Sequence, residues 1–211
     1  MDIVLASNSP HKKSLMNKLG LIFTMQDPGI SDDIVKEKSE NPQAFVERIA
    51  LEKAVSVAKD NKSSYVIGHH MIVVKDGVIM NRPKDKEEAI DVLANLNGQT
   101  HNVIGILVLV QNRKIVYKGV QSTIVEFKNL SKKEIEDYAA SEEPLEKAGG
   151  YAVQGQGGMF IKSINGSYFN MAGFPLTMVV KALEKNGFEI ADEVKQTITL
   201  QEKSIKESFP R

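Results

Sequence analysis

A mixed α/β fold is predicted for this 211-residue chain from three observations. Strand-like runs alternate with amphipathic helical segments, Val103 to Val110 is almost continuously apolar like a buried strand, and strands are joined by both helices and hairpins. Hydrophobic residues make up 42%, enough at this length for one domain or for two lobes sharing a cleft. The 27 basic and 27 acidic residues cancel, so neither a nucleic-acid polymer nor an anionic membrane has global electrostatic support as a partner. The absence of cysteine removes disulfides, thiolate zinc sites and cysteine nucleophiles. Met1 to Ala6 lacks the pattern of a signal peptide, and no apolar run approaches the roughly 18 residues of a membrane span, so a soluble cytoplasmic protein is expected.

The elements follow in order. Ile3 to Ala6 is a strand, and Ser9-Pro10 opens a helix with Leu15, Met16 and Leu19 on one face, closed by Gly20. Asp27 to Asn41 is a polar loop, after which Pro42 starts a long helix to about Lys59. Tyr65 to Val74 is a strand, Lys75-Asp76-Gly77 a turn and Val78 to Met80 a short strand. A helix covers Lys86 to Leu96, and Val103 to Val110 pairs with Ile115 to about Phe127. Ser131-Lys132-Lys133-Glu134 is a capping box for a helix to Ala140. Short strands are expected around Tyr151 to Val153, Met159 to Ile164 and Tyr168 to Met171, and a helix from Pro175 to near Gly187. Residues 1–189 are expected to form one domain of two lobes. Residues 190–211, with little periodicity, are expected to be a peripheral tail.

Five features bear on chemistry. The strand, Leu5-Ala6-Ser7-Asn8-Ser9-Pro10 and helix place two hydroxyls and a helix start where an anion can sit, with Lys12 and Lys13 in the first turn; Ser-Pro is also ordinary capping. Val46, Ala50, Lys53 and Val57 share one helical stripe, so the Lys53 ammonium must snorkel, pair or line a cleft. Strand alternation points His69 and His70 apart, which disfavours a joint metal site. Asp32-Asp33 offers oxygen ligands to a hard cation, or is simply solvated. Glu146 to Gly155 combines a charge pair, glycines and the Gln154 amide, which can read both a donor and an acceptor on a base; a plain turn-rich loop has the same composition. The glycine spacing fits neither a Rossmann nor a Walker loop.

Taken in order, LASNSP at 5–10, DD at 32–33, LEKA at 51–54, VIG at 66–68, RP at 82–83, NG with His101, EPLEKAGGYAVQGQGG at 143–158 and NGSYFNMAGFPL at 165–176 resemble the Maf family of nucleoside triphosphate pyrophosphatases. The resemblance implies an elongated mixed sheet with helices, two lobes around a central cleft similar to inosine triphosphate pyrophosphatases, and often a homodimer. It implies hydrolysis of a nucleoside triphosphate to monophosphate and pyrophosphate with Mg²⁺ or Mn²⁺, and an association with septum formation and a cell-division partner. By position, Ser7 and Ser9 would hold phosphate, Lys12, Lys53, Arg82 and Lys147 would balance its charge, Asp33 would take the metal-associated place and Gln154 would sit beside a dTTP or UTP base.

The departures are specific. Where the family has SPRR, this chain has Ser9-Pro10-His11-Lys12; where it has GADTVV, this chain has Gly68-His69-His70-Met71-Ile72-Val73; and Gly105 replaces a threonine. His70 therefore holds the place of the family's catalytic aspartate and Met71 that of a threonine linked to base selection. Three of the four histidines fall at changed positions, while His101 matches. The resemblance thus implies impaired or altered pyrophosphatase activity, with a noncatalytic nucleotide-binding regulator or an interaction protein of the cell-division machinery as the alternative. Zero net charge becomes an average over a molecule whose cleft segments are basic.

Overall fold

A computed structural model describes residues 1–31 and 40–209. The chain begins with β1 (Ile3–Ala6), α1 (Pro10–Asn17), β2 (Thr24–Gln26) and α2 (Pro42–Ala58). It continues through β3 (Tyr65–Lys75), β4 (Val78–Met80), α3 (Lys86–Leu96), β5 (Thr100–Gln111) and β6 (Lys114–Phe127). The last part holds α4 (Lys132–Ala139), β7 (Ile161–Asn165), α5 (Tyr168–Met171), α6 (Leu176–Glu184) and α7 (Asp192–Glu207). All seven strands form one mixed sheet in the order β2-β1-β3-β5-β6-β7, with β4 also on β3. β1 is parallel to β2 and β3, and every other pair is antiparallel.

Local chemistry accounts for the helix starts. Ser9 caps α1, with Pro10 at its first position, and Asn41 caps α2 by accepting the Ala44 N–H at 2.8 Å. Asp85 caps α3, and the capping box predicted at Ser131 and Glu134 is fully formed at α4. The face of α2 holding Val46, Ala50, Lys53 and Val57 is buried, as the spacing predicts. Gly68 brings α2 close: a Cβ there would stand 2.2 Å from the Ala50 carbonyl oxygen and 2.8 Å from the Ala54 Cβ.

The core has three parts. α2 covers one face of β1, β3 and β5 through Val46, Ile49, Ala50, Val66, Ile106 and Val108. α1, α6 and α7 cover the other face through Leu15, Met16, Leu107, Val179 and Ile198. α3, α4 and the far ends of β3, β5 and β6 enclose Leu93, Leu96, Val125, Phe127 and Tyr138. Among the described residues, no helix is long and apolar enough to cross a membrane.

Several elements differ from expectation. Tyr168 to Met171, predicted as a strand, is the single-turn helix α5, because Ser167 caps it and Asn170 is drawn inward to the Val103 carbonyl (3.0 Å) and the Thr123 hydroxyl (3.2 Å). Tyr151 to Val153 forms no strand, and Gln156 to Phe160 is a 3-10 turn, so the strand predicted from Met159 begins at Ile161. β2 was not anticipated: its three residues have no repeat to display and gain order by pairing with β1. Residues 190–211, read as an aperiodic tail, contain α7. Ile198 is the one fully buried residue of that helix, at 3% exposure, too few inward positions to register as a stripe.

Candidate active site

The sheet registers create the cleft. Along one edge of β3, β1 pairs with Tyr65, Val66 and Ile67, and β4 pairs with Val73, Val74 and Lys75. Among the described residues, the stretch Gly68 to Ile72 has no strand partner on that edge, while its other edge is fully paired with β5. A cavity of about 740 Å³ occupies this gap, within the size range of small-molecule sites of about 300–1,000 Å³. Ser9, His11 and Lys12 line one side of it, Met80 to Lys84 another, and His70, Met71 and Ile72 the floor. Lys147, Tyr151, Ala152 and Gln154 close it, together with Met171 to Gly173.

The α1 side is held from its own turn. Ser9 Oγ accepts the Lys12 N–H at 3.4 Å, the capping role that Ser-Pro also allowed, and Ser7 Oγ accepts the Ser9 N–H at 3.1 Å, a turn bond that holds the cap. Lys12 Nζ donates to the His69 carbonyl at 3.5 Å, on the open stretch of β3. His11 Nε2 donates to the Ala172 carbonyl at 2.6 Å, tying the start of α1 to the residues after α5. Lys53 is buried at 4% exposure on α2, outside the lining of the cavity.

His69 and His70 point apart, as alternation predicts. His70, at 5% exposure, faces the cavity and meets Phe45 edge to face at 5.8 Å, while His69 packs against Phe174 at 5.5 Å on the opposite side. Asp33 lies outside the described residues. Of the other positions singled out by sequence, Ser9, His11, Lys12, His70, Met71, Arg82, Lys147 and Gln154 come together in the cleft, and Ser7 supports it from beneath.

Three residues of this wall, Tyr151, His101 and Glu143, lie in segments matched by sequence but are given no role of their own there. Tyr151 shares a 2.7 Å hydrogen bond with His101 and stacks edge to face with it and with Phe127. Burial, reinforced by the nearby Lys75 charge, lowers the His101 pKa to about 4, so the imidazole is neutral at ordinary pH. Burial pushes the Tyr151 phenol well up. Glu143 accepts the Tyr138 hydroxyl at 2.8 Å and the Gln156 and Gly157 N–H groups at 3.0 Å each. Burial alone would raise its pKa; those donors outweigh it and hold the carboxyl below the usual range. In the sequence Glu143 is marked only as the first residue of the matched segment 143–158, an acid a dozen residues before a glycine cluster.

The lining is basic. Lys12, Arg82, Lys84 and Lys147 bring basic side chains, against the carboxylates of Glu88 and Glu146. Glu88 accepts the Lys84 N–H at 2.9 Å and Glu146 lies 3.3 Å from the Lys147 ammonium, so neither is spare. Among the described residues no group of three His, Asp or Glu side chains can hold a metal ion. The described lining thus does not supply the oxygen-rich set that a hard divalent cation takes; it suits a small polyanion.

A family model described as Maf-like protein matches residues 2–186. A protein of Clostridioides difficile strain 630 named dTTP/UTP pyrophosphatase is 37% identical over 188 residues, 88% of this chain and 95% of that protein. One of the same name from Geobacillus sp. strain WCH70 is 38% identical over 187 residues, 88% of this chain and 98% of the relative. Among solved structures, a HAM1 protein from Coxiella burnetii matches 60% of this chain and 73% of its own, with 19% identity and a TM-score of 0.42. Matched through residues 2–186 and aligned with these relatives over nearly their whole length, the chain belongs to the Maf family.

Proposed function

We propose that this cleft binds a nucleoside triphosphate, preferring a pyrimidine base, and that hydrolysis to monophosphate and pyrophosphate is slow. The reading is supported by the basic lining and by the relatives named dTTP/UTP pyrophosphatase. The observation that carries it is His70, an imidazole at the floor of a cavity rimmed by Lys12, Arg82 and Lys147. Lys12, Arg82 and Lys147 balance the phosphate charge, Ser9 stands at the start of α1, and Gln154 meets the base. In the chemical step water attacks the α phosphorus, the bond to the bridging oxygen breaks, and pyrophosphate leaves with the electron pair. His70 accepts the proton that the attacking water loses. An imidazole in the place of the family's aspartate takes an anion from the site, and losing a well-placed base typically costs about 10²- to 10⁴-fold in rate.

Pyrophosphate release from a panel of triphosphates, with Mg²⁺ or Mn²⁺ supplied, tests this on the wild type and His70→Asp side by side. Slow wild-type turnover and a gain of 10²-fold or more in the variant are expected; vigorous wild-type turnover would sink the slow-enzyme reading. A noncatalytic nucleotide-binding regulator is the second reading, favoured by the lack of spare carboxylates in the described lining. Calorimetric binding with no turnover at all would select it.

A further inference from the structure

The loop bearing Gln154 has no strand or α-helix of its own. Its internal bonds are short-range: the Gly155 N–H reaches the Ala152 carbonyl and the Gly158 N–H the Gly155 carbonyl, both at 3.2 Å. Segments held so locally belong to the low-stability end of a protein. Here one carboxylate reaches in from outside. Glu143 Oε2 accepts the Gln156 N–H and Oε1 the Gly157 N–H, each at 3.0 Å, while Tyr138 on α4 donates to Oε1 at 2.8 Å. Hydrogen bonds to an ionised acceptor are roughly twice as strong as neutral ones.

The glycines are shaped to this approach. A Cβ on Gly155 would stand 2.3 Å from Glu143 Oε2, and one on Gly157 would stand 2.7 Å from the Tyr138 hydroxyl oxygen. Neither glycine has a positive φ, so close approach, of the carboxylate at Gly155 and of the Tyr138 hydroxyl, the Ala152 backbone nitrogen and the Tyr151 Cβ at Gly157, is what demands them. On the other side of Gln154, Tyr151 is pinned to His101 at 2.7 Å. Gln154 is exposed between two fixed points.

We propose that Glu143 is a positioning residue that sets the base preference of the cleft, by fixing the backbone of 155–157 and with it the direction of the Gln154 amide. The inference rests on the reading of the cleft as a nucleoside triphosphate site. A uracil or thymine edge offers an imide N–H beside carbonyl oxygens, which a primary amide matches in one orientation. An amide on a wandering loop can turn to suit any base, so preference needs the loop held even though phosphate affinity does not. The phosphate charge is met mainly from α1, Arg82 and Lys147.

The test is calorimetric titration of the full chain with inorganic pyrophosphate and with the α,β-methylene analogues of UTP and ATP, which resist cleavage at the reacting bond. Wild type should bind pyrophosphate and prefer the UTP analogue. Glu143→Ala should keep pyrophosphate affinity within about twofold while the preference falls about tenfold, the scale of a hydrogen bond lost. Gln154→Ala should lose the same preference. Amide exchange at Gln156 and Gly157 should quicken in Glu143→Ala and stay unchanged in Gln154→Ala. If Glu143→Ala does not fold, Gly155→Ala displaces the same carboxylate by collision and should show the same loss.

Three results would overturn the assignment: quickened exchange with preference intact, pyrophosphate affinity falling in step with preference, or a wild type that binds pyrophosphate without any base preference. Wild type binding none of the three ligands would instead take down the nucleotide reading, and the inference with it.

Discussion

The wall of the cleft built on α1, α2 and β3 is framework, whereas the wall from Glu143 to Gly158 is a loop held by individual side chains. In the framework, Lys12 and His70 have their directions dictated by helical turn or strand alternation, and many residues share the task of holding them. In the loop, Glu143 and Tyr151 are held by individual side chains of other elements, Tyr138 of α4 and His101 of β5. Damage to the first wall should therefore be global, and damage to the second local.

The largest effect is expected from Gly68→Val. Its Cβ would meet the Ala50 carbonyl oxygen at 2.2 Å, backbone that can yield only if α2 lifts from β3. Overpacking typically costs about 1–3 kcal/mol, and this collision belongs at or above the upper end. Denaturant unfolding should show the loss, with Lys53 and the cleft floor displaced together. A midpoint matching wild type would show that α2 is not fixed where the framework description puts it.

Next is the pH response of the loop wall. His101 has a folded pKa of about 4 against an unfolded value of about 6.5, so the unfolded chain binds the extra proton first. Its contribution is fully present above about pH 6.5 and lost as the pH falls toward 4, on the order of 3 kcal/mol in all. Lys75 and Tyr151 are the groups that face it. Thermal midpoints at pH 7 and 4.5 should fall further apart in wild type than in His101→Gln; parallel curves would assign the acid sensitivity elsewhere.

Tyr151→Phe is expected to cost about 1–3 kcal/mol, because the buried His101 Nε2 loses its partner while the stacked rings remain. Smallest is Ser131→Ala, which removes the cap of α4, the helix that carries Tyr138, at about 1 kcal/mol. Both should quicken amide exchange between Tyr151 and Gly157 more than in α2. Equal quickening in α2 would erase the contrast between the walls.

The same contrast explains what could be read from the sequence. The buried Lys53 stripe, the divergent histidines and the capped starts of α1, α2 and α4 all arise from residues within a few positions of one another, so periodicity displays them. Glu143 bonds the Gln156 and Gly157 N–H groups 13 and 14 positions away, and Tyr151 bonds His101 50 positions away, separations that no local period displays. α5 was misread for that reason: Tyr168-Phe169-Asn170-Met171 looks like a strand until Asn170 is seen reaching Val103, 67 positions away. The cleft itself is such a feature, since it lies between the end of β1, paired as far as Ile67, and Met80 of β4, paired with Val73, along the same edge of β3.

That open stretch of β3 has a consequence for how the molecule keeps to itself. An unpaired strand edge is a template on which another extended chain can add, and proteins guard such edges with charge and cover. Here the exposed backbone is recessed between two strands of its own sheet, and the Lys12 ammonium sits on the His69 carbonyl at its centre. A peptide entering to pair would have to displace that cation and fit a gap only a few residues long. The lysine that the proposed function sets against phosphate would thus also stand in the way of strand invasion.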